Sequence, residues 1–229
     1  MKICGLQKLT LLDFPTKTAC TVFTGGCNLR CPFCHNASLV TGVAEAIDAE
    51  EFFAFLAKRK GLLQGVCISG GEPLLQKDIV SFINRIRDMG YAVKLDTNGT
   101  LPAKLKELLD SGLIDYVAMD LKNGPKEYGA TVGVEGFDFG VIAESMELLR
   151  KSGIPYEYRT TVVKPLHTME SLKETASLIS GGENWYLQQY TDSGEVIAPN
   201  GLSAYTDSEM ELLAEEMRKI TPSVRLRGL

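Results

Sequence analysis

The 229-residue chain has no long apolar run, no excess of basic charge and no low-complexity stretch. Its apolar segments, such as GLIDYVAMDL, are too short and too often interrupted to span a bilayer, so no membrane partner is expected. The opening MKICGLQKLTLLDFPTK lacks the apolar core and small-residue cleavage site of a signal peptide, which predicts a cytoplasmic protein. A net charge of −5, with no basic patch of the kind that neutralises phosphates, argues against a nucleic-acid partner. The absence of a Pro-, Gly- or Ser-rich linker predicts one domain over residues 1–229. Six cysteines stand out against these absences. In a reducing compartment they point to metal binding or catalysis before disulfides.

What the sequence does contain is alternation. Short β-branched runs at 18–24, 66–69, 92–97, 116–121, 156–163 and 184–190 are separated by amphipathic stretches of helical length. The helices are expected near 48–59, 77–89, 102–111, 137–151, 168–180 and 207–219. Asp48 precedes one and Asp207 begins another, while Gly61, Gly90 and Gly153 follow as stop signals. Six strand–helix repeats predict an α/β fold, a partial (β/α)6 TIM-like barrel of parallel strands with flanking helices. The segment 123–137, NGPKEYGATVGVEGF, reads as the longest loop and as a candidate mobile active-site loop.

In such folds chemistry collects at the C-terminal ends of the strands. Those ends read TGGC, SGGEP, LDTNG, MDLKNG, RTTVVKP and LQQY, rich in glycine and polar residues. Cys27, Cys31 and Cys34 follow the first with C-x3-C-x2-C spacing, in a loop able to wrap three thiolates round one centre. Structural zinc is one reading, although it normally takes four protein ligands. His35 adjoins Cys34 and is badly placed to complete a tetrahedron. A [4Fe–4S] cluster is the other reading; three local cysteines would leave one iron open to a small molecule. Cys20 and Cys67 lie in strands and suit a buried apolar role. Cys4 has no assigned place.

CNLRCPFC resembles the signature of the radical S-adenosylmethionine (SAM) superfamily, with Phe33 at the aromatic position before the last cysteine. Ser69, Gly70, Gly71 and Glu72 resemble its glycine-rich SAM-binding motif. The glycines would let backbone approach the methionine moiety, and Glu72 would fix the turn. With this second motif at the next strand end, the iron–sulfur reading displaces zinc.

The chain is most similar to the glycyl-radical-enzyme activases within that superfamily. GLQKLTLLDFP, FTGGCNLRCPFCHN, ISGGEPLLQ, KLDTNG, IDYVAMDLK and YRTTVV together resemble the activating proteins of anaerobic ribonucleoside-triphosphate reductase. DFPT at 13–16, where pyruvate formate-lyase activases usually carry DGPG, counts against pyruvate formate-lyase as the target. The resemblance implies a [4Fe–4S] cluster on Cys27, Cys31 and Cys34, with SAM on its open iron. It implies SAM contacts from Phe33, Asn36, Ser69, Gly70, Gly71, Glu72, Asn98 and Lys122. It also implies a monovalent cation held by Asp96, Thr97, Asp120 and the Ala118 backbone. Arg159, in an apolar strand, needs an anion, and either the SAM carboxylate or a core aspartate would serve. His167 reads as a surface residue, and only one of Gln188 and Gln189 can face inward.

The implied reaction is reductive cleavage of SAM, giving a 5′-deoxyadenosyl radical that takes a Cα hydrogen from a glycine of the partner enzyme. The electron donor would be flavodoxin or ferredoxin. No side-chain acid or base is required, so no catalytic side chain is assigned. The alternatives are a small-molecule radical SAM enzyme, such as 7-carboxy-7-deazaguanine synthase, and a non-catalytic zinc or iron–sulfur module.

Overall fold

A computed structural model of the chain describes residues 1–179, 182–192 and 194–228. The strands follow chain order across one eight-stranded sheet: β1 (Ile3–Thr10), β2 (Ala19–Thr24), β3 (Gly65–Gly70), β4 (Ala92–Thr97), β5 (Tyr116–Asp120), β6 (Tyr156–Val162), β7 (Asn184–Gln189) and β8 (Val224–Arg227). The pairs β2–β3, β3–β4, β6–β7 and β7–β8 are parallel, and β1 runs antiparallel to β2. The helices are α1 (Ala37–Thr41), α2 (Ala49–Lys58), α3 (Ile79–Asp88), α4 (Pro102–Asp110), α5 (Tyr128–Val132), α6 (Gly140–Ser152), α7 (Met169–Leu178) and α8 (Asp207–Arg218). The expected (β/α)6 alternation is therefore present as β2 to β7, with a further strand at each edge. No helix among the described residues is long and apolar enough to cross a membrane.

The described residues form two compact units. One contains Met1–Asn28, Ser38–Ala118 and Ala143–Pro155; the other contains Leu29–Ala37, Met119–Ile142 and Tyr156–Leu229. In the first, β2 and the start of β3 are buried on both faces, which is why both read as continuous apolar runs. Asp48 caps α2 by accepting from Glu50 N at 3.0 Å, and the helix buries Phe52, Phe53 and Leu56. Phe52 stacks on Phe82 of α3 with ring centres 5.4 Å apart. Cys20 and Cys67 are fully buried, although the Lys94 ammonium lies 3.8 Å from Cys67 Sγ, and Cys4 lies on β1.

In the second unit Trp185 of β7 is fully buried, its indole N–H donating to Thr160 Oγ1 of β6 at 2.9 Å. Two capping boxes start its longer helices: Thr168 with Ser171 for α7, and Thr206 with Glu209 for α8. Asp207 begins α8, as expected, and Thr206 is its N-cap. The expected end of α7 at Ser180 lies outside the described residues.

Three further expectations need correction. Segment 123–137 is not one open loop: it contains α5, whose Tyr128, Thr131 and Val132 are buried. Gly61 does not cap α2, which ends at Lys58 with Arg59 as its C-cap. His167 is fully buried instead of lying at the surface.

Candidate active site

The first unit holds Cys27 and the two turns that follow β3 and β4. Gly70 and Gly71 are required here by backbone packing. Gly70 has φ +124°, and an added Cβ would lie 2.2 Å from Thr24 N. A Cβ on Gly71 would lie 1.9 Å from the Gly26 carbonyl oxygen. The two glycines let the turn after β3 press onto the loop that leads into Cys27, and Glu72 N donates to Gly26 O at 2.8 Å. The reason for the glycines is thus close contact within the chain, and not only the approach of a ligand.

Glu72 fixes this turn, as its position suggested, and ties it to the next one. Its buried carboxylate accepts from Leu74 N at 3.0 Å, Thr97 Oγ1 at 2.9 Å and Asn98 N at 2.7 Å. Asn98 then reaches the cysteine loop, its amide Nδ2 lying 3.0 Å from Asn28 Oδ1 and 3.8 Å from Cys27 Sγ. Ser145 Oγ of α6 donates to Gly99 O at 2.7 Å and braces the same turn. Asp96 is buried against the ammonium of Lys94, and Thr97 is turned to Glu72.

The second unit holds Cys31 and Cys34, whose loop is fastened by backbone on two sides. Arg30 N donates to Val132 O of α5 at 2.9 Å, and Gly133 (φ +68°) sits where a Cβ would meet Arg30 O at 2.5 Å. Ile197 N donates to Cys34 O at 3.2 Å and Ala198 N to Pro32 O at 2.9 Å. Phe33 is buried, edge-on to the His167 ring at 6.0 Å. Val163 N–H points at His167 Nδ1 at 3.2 Å, so that nitrogen is an acceptor and the Nε2–H donates to Lys122 O at 2.7 Å. Burial holds this imidazole below its usual 6.5, outweighing its contacts with the backbone of Lys122 and Val163.

At the end of β5, Asp120 takes both cations that the sequence singled out. Lys122 Nζ lies 2.9 Å from its Oδ2 and Arg159 Nε 3.1 Å from its Oδ1. Of the two anions considered for Arg159, the core aspartate is the one this contact supplies. Burial opposes the charge on Lys122, but Asp120, Cys31 and Cys34 outweigh it and hold the ammonium above its ordinary range. The candidate cation ligands Asp96 and Asp120 thus each face a cationic side chain.

Gln189 Nε2 donates to Tyr205 O and Asp207 Oδ1, both at 2.9 Å. His35 is exposed, while Asn36, Ser69 and Gln188 are partly exposed. Sequence reasoning passed over Asn28 and Thr100 and read the buried His167 as a surface residue. The signal for Asn28 was its place inside CNLRC; His167 carried none.

All six cysteines are free of disulfides. Among the described residues no three His, Cys, Asp or Glu side chains are already gathered as a metal site. The donor chemistry nonetheless fits an iron–sulfur cluster. Soft thiols lie within eight residues of chain, and the Cys27 sulfur has an amide N–H aimed at it, as a thiolate ligand needs.

The description "Radical SAM superfamily" matches residues 21–179. The "Putative glycyl-radical enzyme activating enzyme MJ1227" of Methanocaldococcus jannaschii is 34% identical over 195 residues, covering 82% of this chain and 79% of its own length. The pyruvate formate-lyase-activating enzyme of Clostridium pasteurianum is 27% identical over 80% of this chain and 78% of its own. Streptococcus suis SuiB bound to S-adenosylmethionine shares the fold, with TM-score 0.69 and 17% identity; 90% of this chain matches 48% of that one. The superfamily uses a [4Fe–4S] cluster and SAM. The chain belongs to the radical SAM superfamily, with glycyl-radical enzyme activating enzymes among its relatives.

Proposed function

We propose that this protein is a glycyl-radical-enzyme activase whose partner is anaerobic ribonucleoside-triphosphate reductase, and that it acts in the cytoplasm as a single radical SAM domain. The observation that carries this reading is similarity to MJ1227 along most of both chains, rather than over the cysteine motif alone. The choice of reductase rests on the resemblance of FTGGCNLRCPFCHN and on DFPT standing where pyruvate formate-lyase activases carry DGPG.

Cys27, Cys31 and Cys34 would hold the cluster. The residues proposed to contact SAM are Ser69 to Glu72, Asp96 to Asn98, Phe33, Asn36, Asp120, Lys122 and Arg159. When bound, the cluster and SAM supply one-electron cleavage of the sulfonium and a carbon-centred radical. The chain's own residues bind and orient. Glu72 locks the two turns of the first unit into one piece, and Asp120 fixes the directions of Lys122 and Arg159. The backbone clamps at Arg30, Pro32 and Cys34 set the path of the cysteine loop. A partner glycine would enter as a protein loop, and flavodoxin or ferredoxin would deliver the electron.

Anaerobic reconstitution with iron and sulfide tests this reading. Wild-type protein is expected to turn brown and to form 5′-deoxyadenosine from SAM when reduced. Cys27→Ala, Cys31→Ala and Cys34→Ala are each expected to lose both properties. A colourless protein with one tightly held zinc and no 5′-deoxyadenosine would establish the structural-metal alternative. Uncoupled 5′-deoxyadenosine without any glycyl radical on a reductase would favour the small-molecule alternative.

A further inference from the structure

Asn28, Asn98 and Thr100 form a ring of hydrogen bonds that also reaches Cys27, and its polarity is fixed at one point. Thr100 N–H can only donate, and it lies 3.0 Å from the Asn98 side-chain oxygen. That contact decides which way round the Asn98 amide stands. Its oxygen faces Thr100, so its NH2 must face the cysteine loop.

One of its two hydrogens goes to Asn28 Oδ1 at 3.0 Å and the other to Cys27 Sγ at 3.8 Å. Thr100 Oγ1 closes the ring, donating to Asn98 Oδ1 at 2.6 Å and accepting from Asn28 Nδ2 at 2.7 Å. The backbone of Asn98 is held separately by Glu72, at 2.7 Å. Asn98 itself is only 5% exposed, so water does not compete freely for its amide. The side chain is pre-oriented as a donor toward one sulfur.

We propose that Asn98 is a positioning residue for the cluster, and that its amide N–H stabilises extra negative charge on the Cys27 thiolate and so raises the cluster's reduction potential. This rests on the functional reading above, in which Cys27 ligates a [4Fe–4S] cluster. A donor aimed at a ligating sulfur stabilises the reduced, more negative cluster more than the oxidised one, so losing it makes reduction harder. The step concerned is the addition of one electron, from an external low-potential reductant, to the cluster. No bond forms or breaks in the protein. Asn98 thereby gains a role separate from any contact with SAM, and the role can be measured with SAM absent.

The test is an EPR-monitored redox titration of the reconstituted, SAM-free protein with dithionite. Asn98→Leu removes the donor at similar volume and is expected to make the midpoint more negative. A tenfold weaker tendency to be reduced would read as a shift of about 59 mV for this one-electron couple. Asn98→Ala removes the same donor without added bulk and carries the same expectation if the leucine variant does not hold a cluster. Thr100→Val is the structural control. It loosens the ring but keeps the Thr100 N–H that orients the amide, so its midpoint should stay near wild type.

A wild-type cluster whose midpoint is unmoved by both Asn98 variants would overturn the inference and leave the functional reading standing. An equal shift in Thr100→Val would also overturn it, since the effect would then belong to the turn. Wild-type protein that takes up no iron would overturn the functional reading, and this inference with it.

Discussion

Glu72 and Gly71 are the residues on which the first unit's turns depend, and each gives a sharp prediction. Glu72 is fully buried with three hydrogen-bond donors on its carboxylate. Glu72→Gln keeps the shape but turns an NH2 against at least one of those donors. A loss of about 1–3 kcal/mol is expected, read as a lower urea midpoint with an unchanged m-value. An unchanged midpoint would show that the carboxylate is not holding the turns. Gly71→Ala places a methyl 1.9 Å from Gly26 O, so either the turn or the cysteine loop must move. Loss of cluster uptake is the expected result, measured as iron bound per chain; full uptake would mean that the backbone relaxes freely. The quoted sequence SGGE was enough to mark these positions. It did not show the second reason for the glycines, because the backbone they abut comes from residues 23–27 and no local pattern records that approach.

At the scale of elements, α5 and the segment around His167 turn a stretch that reads as loop into a fastening for the cysteine loop. Gly133→Ala would add a Cβ against Arg30 O at a left-handed φ. Faster amide hydrogen exchange at Arg30, which donates to Val132 O, is the expected outcome. Exchange as slow as wild type would show that α5 does not fasten this loop.

His167 supplies a pH dependence. Its folded pKa lies below 6.5 because burial disfavours the charged ring. The unfolded chain therefore binds the proton first as pH falls below about 6.5. Stability is complete above that value and is lost as pH falls through the folded pKa. His167→Gln should flatten the fall in unfolding free energy as pH drops below about 6.5. A fall as steep as wild type would assign it to other groups.

Sequence periodicity found β2 to β7 and the longer helices α2, α3, α4, α6, α7 and α8 because each has an apolar face. It missed β1, an edge strand with three exposed positions, and β8, four residues of alternating Val, Arg, Leu and Arg. It also missed α1 and α5, five residues each, too short to show a helical period. His167 read as surface because the residues that bury it, Phe33 and the Lys122 backbone, lie far away along the chain.

For the whole molecule, the proposed site is read from motifs at successive strand ends. The order of strands in the sheet repeats their order in sequence, so reading strand ends along the chain was already a reading of neighbours in space. Of the charge pairs, Lys122 with Asp120 and Arg159 with a core aspartate were readable as alternatives, and both are present. The pairing of Asp96 with Lys94 was not, since Lys94 has no visible role in the pattern KLDTNG.

The most direct test of the central claim mixes the reconstituted, reduced protein with SAM and anaerobic ribonucleoside-triphosphate reductase under strict anaerobiosis and records the EPR spectrum. A glycyl-radical doublet that requires SAM and disappears with Cys27→Ala is the expected result. SAM cleavage in the same mixture, with no doublet, would contradict it.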